Sequence, residues 1–119
     1  MSDRIKHECG IALIRLLKPL EFYQKKYGTK NYGINKMYLM MEKQHNRGQD
    51  GAGVASVKLN ASPGEKYIYR ERSSGKHPIQ EIFSSINQSI QNASLNDQYE
   101  NIPFVGELLL GLVRYWTYV

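Results

Sequence analysis

The residues from Cys9 to Leu17 constrain the fold more than any other stretch, because an extended chain would be apolar on both of its faces there. In a strand, Cys9, Ile11 and Leu13 face one way and Gly10, Ala12, Ile14 and Leu16 the other. Such a run predicts a strand buried on both sides within a layered fold. A second apolar run over residues 104–115 predicts another strand near the end of the sequence. Between the two, Ile34, Met37, Tyr38 and Met41 recur at i, i+3, i+4 and i+7 and predict a helix over residues 34–44. Pro78 in a first turn, followed by Ile79, Ile82, Phe83, Ile86 and Ile90, predicts the most strongly amphipathic helix of the chain. Residues 54–59 and 66–72, separated by Asn60, Ala61, Ser62, Pro63 and Gly64, read as a hairpin whose second strand is exposed. Residues 18–33 read as a long connection with a single helical turn, its tyrosines serving as packing groups with wet hydroxyls. The methionines read as core filling, and residues 92–103 as a polar loop. Strands separated by helices indicate helices covering a sheet, an α+β arrangement.

Composition narrows the setting. With 41% hydrophobic and 23% charged residues in a 119-residue chain, a modest core can be buried and disorder is not expected. The formal charge is +5, but the basic residues, among them Lys25, Lys26, Lys58, Arg70 and Arg72, are scattered rather than gathered, so nucleic acid is not an expected partner. A single cysteine cannot form an internal disulfide. No apolar run approaches the ~20 residues of a membrane span, and the opening residues lack the apolar segment of a signal peptide. The expectation is a cytoplasmic protein without membrane attachment.

The lone cysteine lies in Glu8-Cys9-Gly10-Ile11, where it is either a small buried hydrophobe or a nucleophile. Two later stretches bear on the choice. Gln44-His45-Asn46-Arg47-Gly48-Gln49-Asp50-Gly51-Ala52-Gly53 follows the helix over residues 34–44 with a glycine density that signals tight turns or close approach. Gly111-Leu112-Val113-Arg114-Tyr115-Trp116-Thr117 ends the last apolar run. His45 suits a helix end, where a cation interacts favourably with the dipole, and neither His7 nor His77 has a partner at metal spacing.

Together the three motifs resemble the glutaminase domain of the amidophosphoribosyltransferases, class II glutamine amidotransferases within the N-terminal-nucleophile hydrolases. The Arg47-Gly48-Gln49-Asp50 stretch is the most specific part of the likeness. The resemblance implies part of a four-layer αββα sandwich, truncated, with residues 1–8 as a propeptide-like segment and residues 9–119 as the N-terminal portion of the glutaminase domain. It implies Cys9 as the catalytic nucleophile, with Glu8 similar to the acidic residue that closes a propeptide. It further implies that Arg114 grips the glutamine α-carboxylate, that Thr117 helps bind the same substrate, and that Arg47 and Gly48 form the loop beside the nucleophile. Asp50, Gly51 and Gly53 read as structural.

Glutamine is the implied substrate, and phosphoribosyl pyrophosphate in purine biosynthesis the implied acceptor of its ammonia. No cofactor is expected within these residues; Mg2+ would accompany phosphoribosyl pyrophosphate in a domain outside them. A homo-oligomer is compatible with the resemblance. The chain departs from the family pattern at Leu112, where a histidine is usual, at Trp116, where a small residue or proline is usual, and at Val119, where a glycine is usual. The family's Asn-Gly oxyanion pair and amine-binding aspartate have no counterpart in these residues, so the 119-residue chain by itself is expected to have little or no glutaminase activity. Two other readings stand beside this one: an amidotransferase with a different ammonia acceptor, and a non-catalytic interaction module of the same ancestry.

Overall fold

The last strand of the chain pairs with the first and organises the rest. In a computed structural model that describes residues 5–44, 51–93 and 102–118, with side chains described at 10–43, 51–93 and 102–114, the elements run β1 (Ile5–Arg15), α1 (Leu20–Tyr27), α2 (Tyr32–Gln44), β2 (Gly51–Val57), β3 (Ile68–Ser73), α3 (Pro78–Asn92) and β4 (Leu108–Tyr118). The strands form one antiparallel sheet in the order β1-β4-β2-β3. The architecture is therefore α+β, a four-stranded antiparallel sheet with three helices.

All three helices lie on one side of the sheet. Ala12, Val54, Leu109 and Val113 turn toward them and are buried with Ile34, Met37 and Met41 of α2 and with Ile79, Ile82, Phe83, Ile86 and Ile90 of α3. The amphipathic stripes predicted for α2 and α3 are thus the stripes that meet the sheet. Gly111 permits the close approach of α2, since a Cβ there would lie 2.5 Å from Met37 Sδ and 2.9 Å from Met41 Sδ.

The entry to β4 is fixed by buried polar groups. Ser56 Oγ donates to Phe104 O at 2.9 Å, and Lys58 Nζ donates to Ile102 O and Val105 O, each at 2.5 Å, while standing 5.3 Å from the Tyr69 ring centroid. Glu107 accepts from Leu59 N at 3.0 Å and from Asn60 Nδ2 at 3.2 Å. Burial of these groups is tolerated because each has partners.

Several expectations need correction. β1 is apolar on both faces but buried on one: Ile11 and Leu13 are 65% and 62% exposed, because no described helix covers their side of the sheet. Residues 18–33 hold more than one helical turn, since α1 runs from Leu20 to Tyr27 and stops at Gly28, whose φ of 76° places its N–H on Gln24 O. The tyrosines there do pack, with Tyr27 and Tyr32 stacked at 4.4 Å between ring centroids. Met37 and Met41 are core, but Met40, on the outer side of α2, is exposed. Residues 104–107 do not join β4, because Phe104 takes a φ of 65° and the segment forms a buried turn. The predicted loop over residues 92–103 lies mostly outside the described residues; its start is the last residue of α3, and Ile102 is buried.

Candidate functional site

The site forms at the end of the sheet where β2 begins. The register pairs Cys9 with Arg114 across β1 and β4, and Arg114 with Gly51 across β4 and β2. Three positions separated widely in the sequence therefore share one row of the sheet, with adjacent Cα atoms about 4.5–5.5 Å apart as in any antiparallel ladder. The row exists because β4 lies between its two partners, a consequence of the β1-β4-β2 order.

Arg114 is exposed on the side of the sheet that carries no helix. Its guanidinium lies over Gly51: a Cβ at Gly51 would stand 4.0 Å from Arg114 Nη2 and 3.5 Å from Ser73 O. A Cβ at position 51 would thus make only ordinary van der Waals contact with the arginine. Gly51, read from the sequence as structural, thus borders the candidate site, and the glycine density around it was the signal.

Of the other predicted residues, Thr117 pairs with Lys6, three positions along from Arg114, and is not in the Cys9 row. The side chains of Cys9 and Thr117 lie outside those described, and Arg47, Gly48, His45 and Asp50 lie outside the described residues altogether. Cys9 falls within β1: the ladder pairs Glu8 with Tyr115 and Cys9 with Arg114, so the strand runs through the Glu8–Cys9 peptide without a break. His77 holds the start of α3, its backbone N–H donating to Glu81 Oε2 at 3.2 Å. Among the described residues no group of three or more His, Cys, Asp or Glu could hold a metal ion. Nor is any helix among them long and apolar enough to cross a membrane.

The uncovered side of the sheet was the part least visible in the sequence. Ile11 pairs with Leu112, Leu112 with Gly53 and Gly53 with Arg72; one row further on, Leu13, Leu110, Ala55 and Arg70 line up in the same way. An aliphatic ridge on β1 and β4 therefore falls away to small residues on β2 and meets arginines on β3. The resulting trough, about 610 Å³, is lined by Gly53, Ala55, Leu110, Leu112, Arg70 and Arg72, together with Val54 and Glu71. Leu112, which stands where the resembled family has histidine, is a half-exposed member of this surface.

Comparisons with protein-family models, with curated proteins and with solved structures found no match. Functional assignment therefore rests on the motifs and on the geometry.

Proposed function

We propose that the chain is the glutaminase portion of an amidotransferase of the amidophosphoribosyltransferase kind, with Cys9 as nucleophile and Arg114 as the substrate-carboxylate ligand. The observation that carries this reading is the shared row of Cys9, Arg114 and Gly51. A nucleophile and a planar cationic fork on adjacent strands can engage the two ends of one small amino acid. An α+β sheet with helices on one side and an apolar opposite side supports the αββα expectation, because the inner side of each sheet in such a sandwich is apolar.

In this mechanism, removal of residues 1–8 frees the α-amine of Cys9, and the ordinary pKa of such an amine, ~7.7–8.0, suits it to take the thiol proton. The thiolate attacks the side-chain carbonyl carbon of glutamine, the C–N bond breaks, and ammonia leaves with the proton returned by the amine. Water then cleaves the thioester, releasing glutamate and restoring the thiol. In the uncut chain the nitrogen of Cys9 is a peptide nitrogen within β1, without a basic lone pair, so cleavage precedes chemistry. Within the whole protein the ammonia passes to phosphoribosyl pyrophosphate.

The test uses a glutamine analogue with an electrophile in place of the side-chain amide, on the whole protein of the proposed enzyme with Cys9 as its first residue, since these residues alone are expected to be inactive. One adduct should form on Cys9, be competed by glutamine, and be lost in Cys9→Ala. Arg114→Ala should slow labelling by on the order of tenfold or more, the scale of a lost charge-assisted pair. Labelling that glutamine does not slow, or that ignores Arg114, would refute the assignment.

A further inference from the structure

The junction of α1 and α2 gathers aromatic rings and ammonium groups that lie apart in the sequence. The rings of Tyr23 and Tyr27 stack on that of Tyr32, at 5.2 and 4.4 Å between centroids, and Phe22 meets Tyr23 edge-on at 5.2 Å. Lys18 and Lys26 stand 5.8 and 5.6 Å from the Phe22 centroid, Lys26 also 5.5 Å from that of Tyr27, and Lys36 5.9 Å from that of Tyr32. Phe22 and Tyr27 are nonetheless 40% and 48% exposed, so both present ring surface to solvent. The connection beneath them is closed by hydrogen bonds. Gly28 N–H ends α1 on Gln24 O, Asn31 N donates to Thr29 Oγ1 at 3.2 Å and Asn35 N to Asn31 O at 3.0 Å, while Lys18 N donates to Tyr23 Oη at 3.3 Å. The cluster is therefore assembled before any ligand arrives, which lowers the entropic cost of binding.

Charge and ring chemistry together select the partner. From Lys18 to Lys36 the chain has five lysines and a single acidic residue, Glu21, so the partner is anionic. An anionic bilayer fits poorly: Phe22, the one ring of the four without a hydroxyl, has two ammonium groups within 6 Å and could not enter hydrocarbon without taking charge with it. An acidic peptide offers carboxylates but no flat faces. A single strand of nucleic acid alternates the two, phosphates for ammonium groups and base faces for rings. We infer that the junction of α1 and α2 binds single-stranded nucleic acid, with phosphates on Lys18, Lys26 and Lys36 and bases stacked on Phe22 and Tyr27. Along the sequence these lysines are scattered; they converge only when α1 and α2 pack. The surface belongs to the helix layer, opposite the side of the sheet that the glutaminase reading gives to a second sheet, and it uses neither Cys9 nor Arg114. The two readings therefore stand or fall separately.

The test is fluorescence anisotropy of the full chain, its fold checked by circular dichroism, with a labelled oligodeoxyadenylate of about twelve nucleotides. The control is an abasic strand of the same length, which keeps the phosphates and lacks the faces. The base-bearing strand should bind at least about tenfold more tightly than the abasic one, and less tightly as salt rises. Phe22→Ala should remove most of that difference, by about tenfold, with circular dichroism unchanged. Lys26→Glu should weaken binding of both strands, whereas Lys76→Glu, the same change of charge at an exposed position outside the cluster, should not. Equal affinity for the two strands would overturn the proposal, since attraction of a basic chain to phosphate would then suffice. Equal effects of Lys26→Glu and Lys76→Glu would overturn it as well, as would no binding of either strand by a folded chain. Binding to phosphatidylserine vesicles without binding to the strand would overturn it in favour of a membrane.

Discussion

Arg114 and Lys58 are both long cations on or beside the same sheet, yet their surroundings give them different work. Arg114 is exposed, lies over Gly51 and shares a row with Cys9, the position the proposed substrate site requires. Lys58 is 5% exposed and its ammonium binds the carbonyls of Ile102 and Val105. Lys58→Met would leave those carbonyls with one donor fewer in a buried setting, and should cost about 1–3 kcal/mol of stability, read from the urea midpoint. Gly106 is equally exacting: a Cβ would lie 2.6 Å from Val57 O, the acceptor for Glu107 N. Gly106→Ala should therefore destabilise by about 1–3 kcal/mol through overpacking, checked by the same titration. Gly51→Ala should by contrast be accommodated, because its Cβ would meet only ordinary contacts with Ser73 O and Arg114 Nη2, and should leave stability within about 0.5 kcal/mol of the parent in the same titration. These roles were unevenly legible. The motif singled out Arg114 and the fold places it beside Cys9, whereas Lys58 looked like any scattered surface lysine, because its partners are backbone carbonyls more than forty residues away.

Helix α3 shows what an element can disclose before its structure is known. Pro78 and the recurrence from Ile79 to Ile90 define its start and its buried face, and both hold in the fold. Its first turn is closed by Glu81, which accepts from Ser73 Oγ at 2.5 Å and from the His77 backbone N–H. The Ser73 bond first, and the His77 bond second, hold the Glu81 carboxyl below its ordinary value of 4.5. A folded pKa below the unfolded one contributes stability that is full above the unfolded value and is lost as pH falls through the folded one. Stability should thus decline below about pH 4.5, and Glu81→Gln should flatten that part of the profile when denaturation midpoints are measured against pH. The β1 strand was less legible. Period-two alternation assigned its two faces correctly, but both faces are apolar, and no local signal says which one the helices cover. Register was hidden for a similar reason: the row joining Cys9, Arg114 and Gly51 depends on β4 inserting between β1 and β2, a non-local choice.

At the scale of the molecule, the described residues form a sheet covered on one side. The helix-covered side holds the buried core, and the other presents aliphatic residues between arginines, with Cys9 and Arg114 sharing a row near one end. The proposed glutamine site lies at the row of Cys9, near that end of the sheet. Every step of the proposed chemistry requires Cys9 to become an N-terminal nucleophile. The most direct test is the intact mass of the purified soluble protein, read for its first residue. A mass that begins at Cys9 is the predicted result, since the amine that serves as base must be free. A mass that retains Ser2 to Glu8 would contradict the account, because Cys9 would remain acylated within β1.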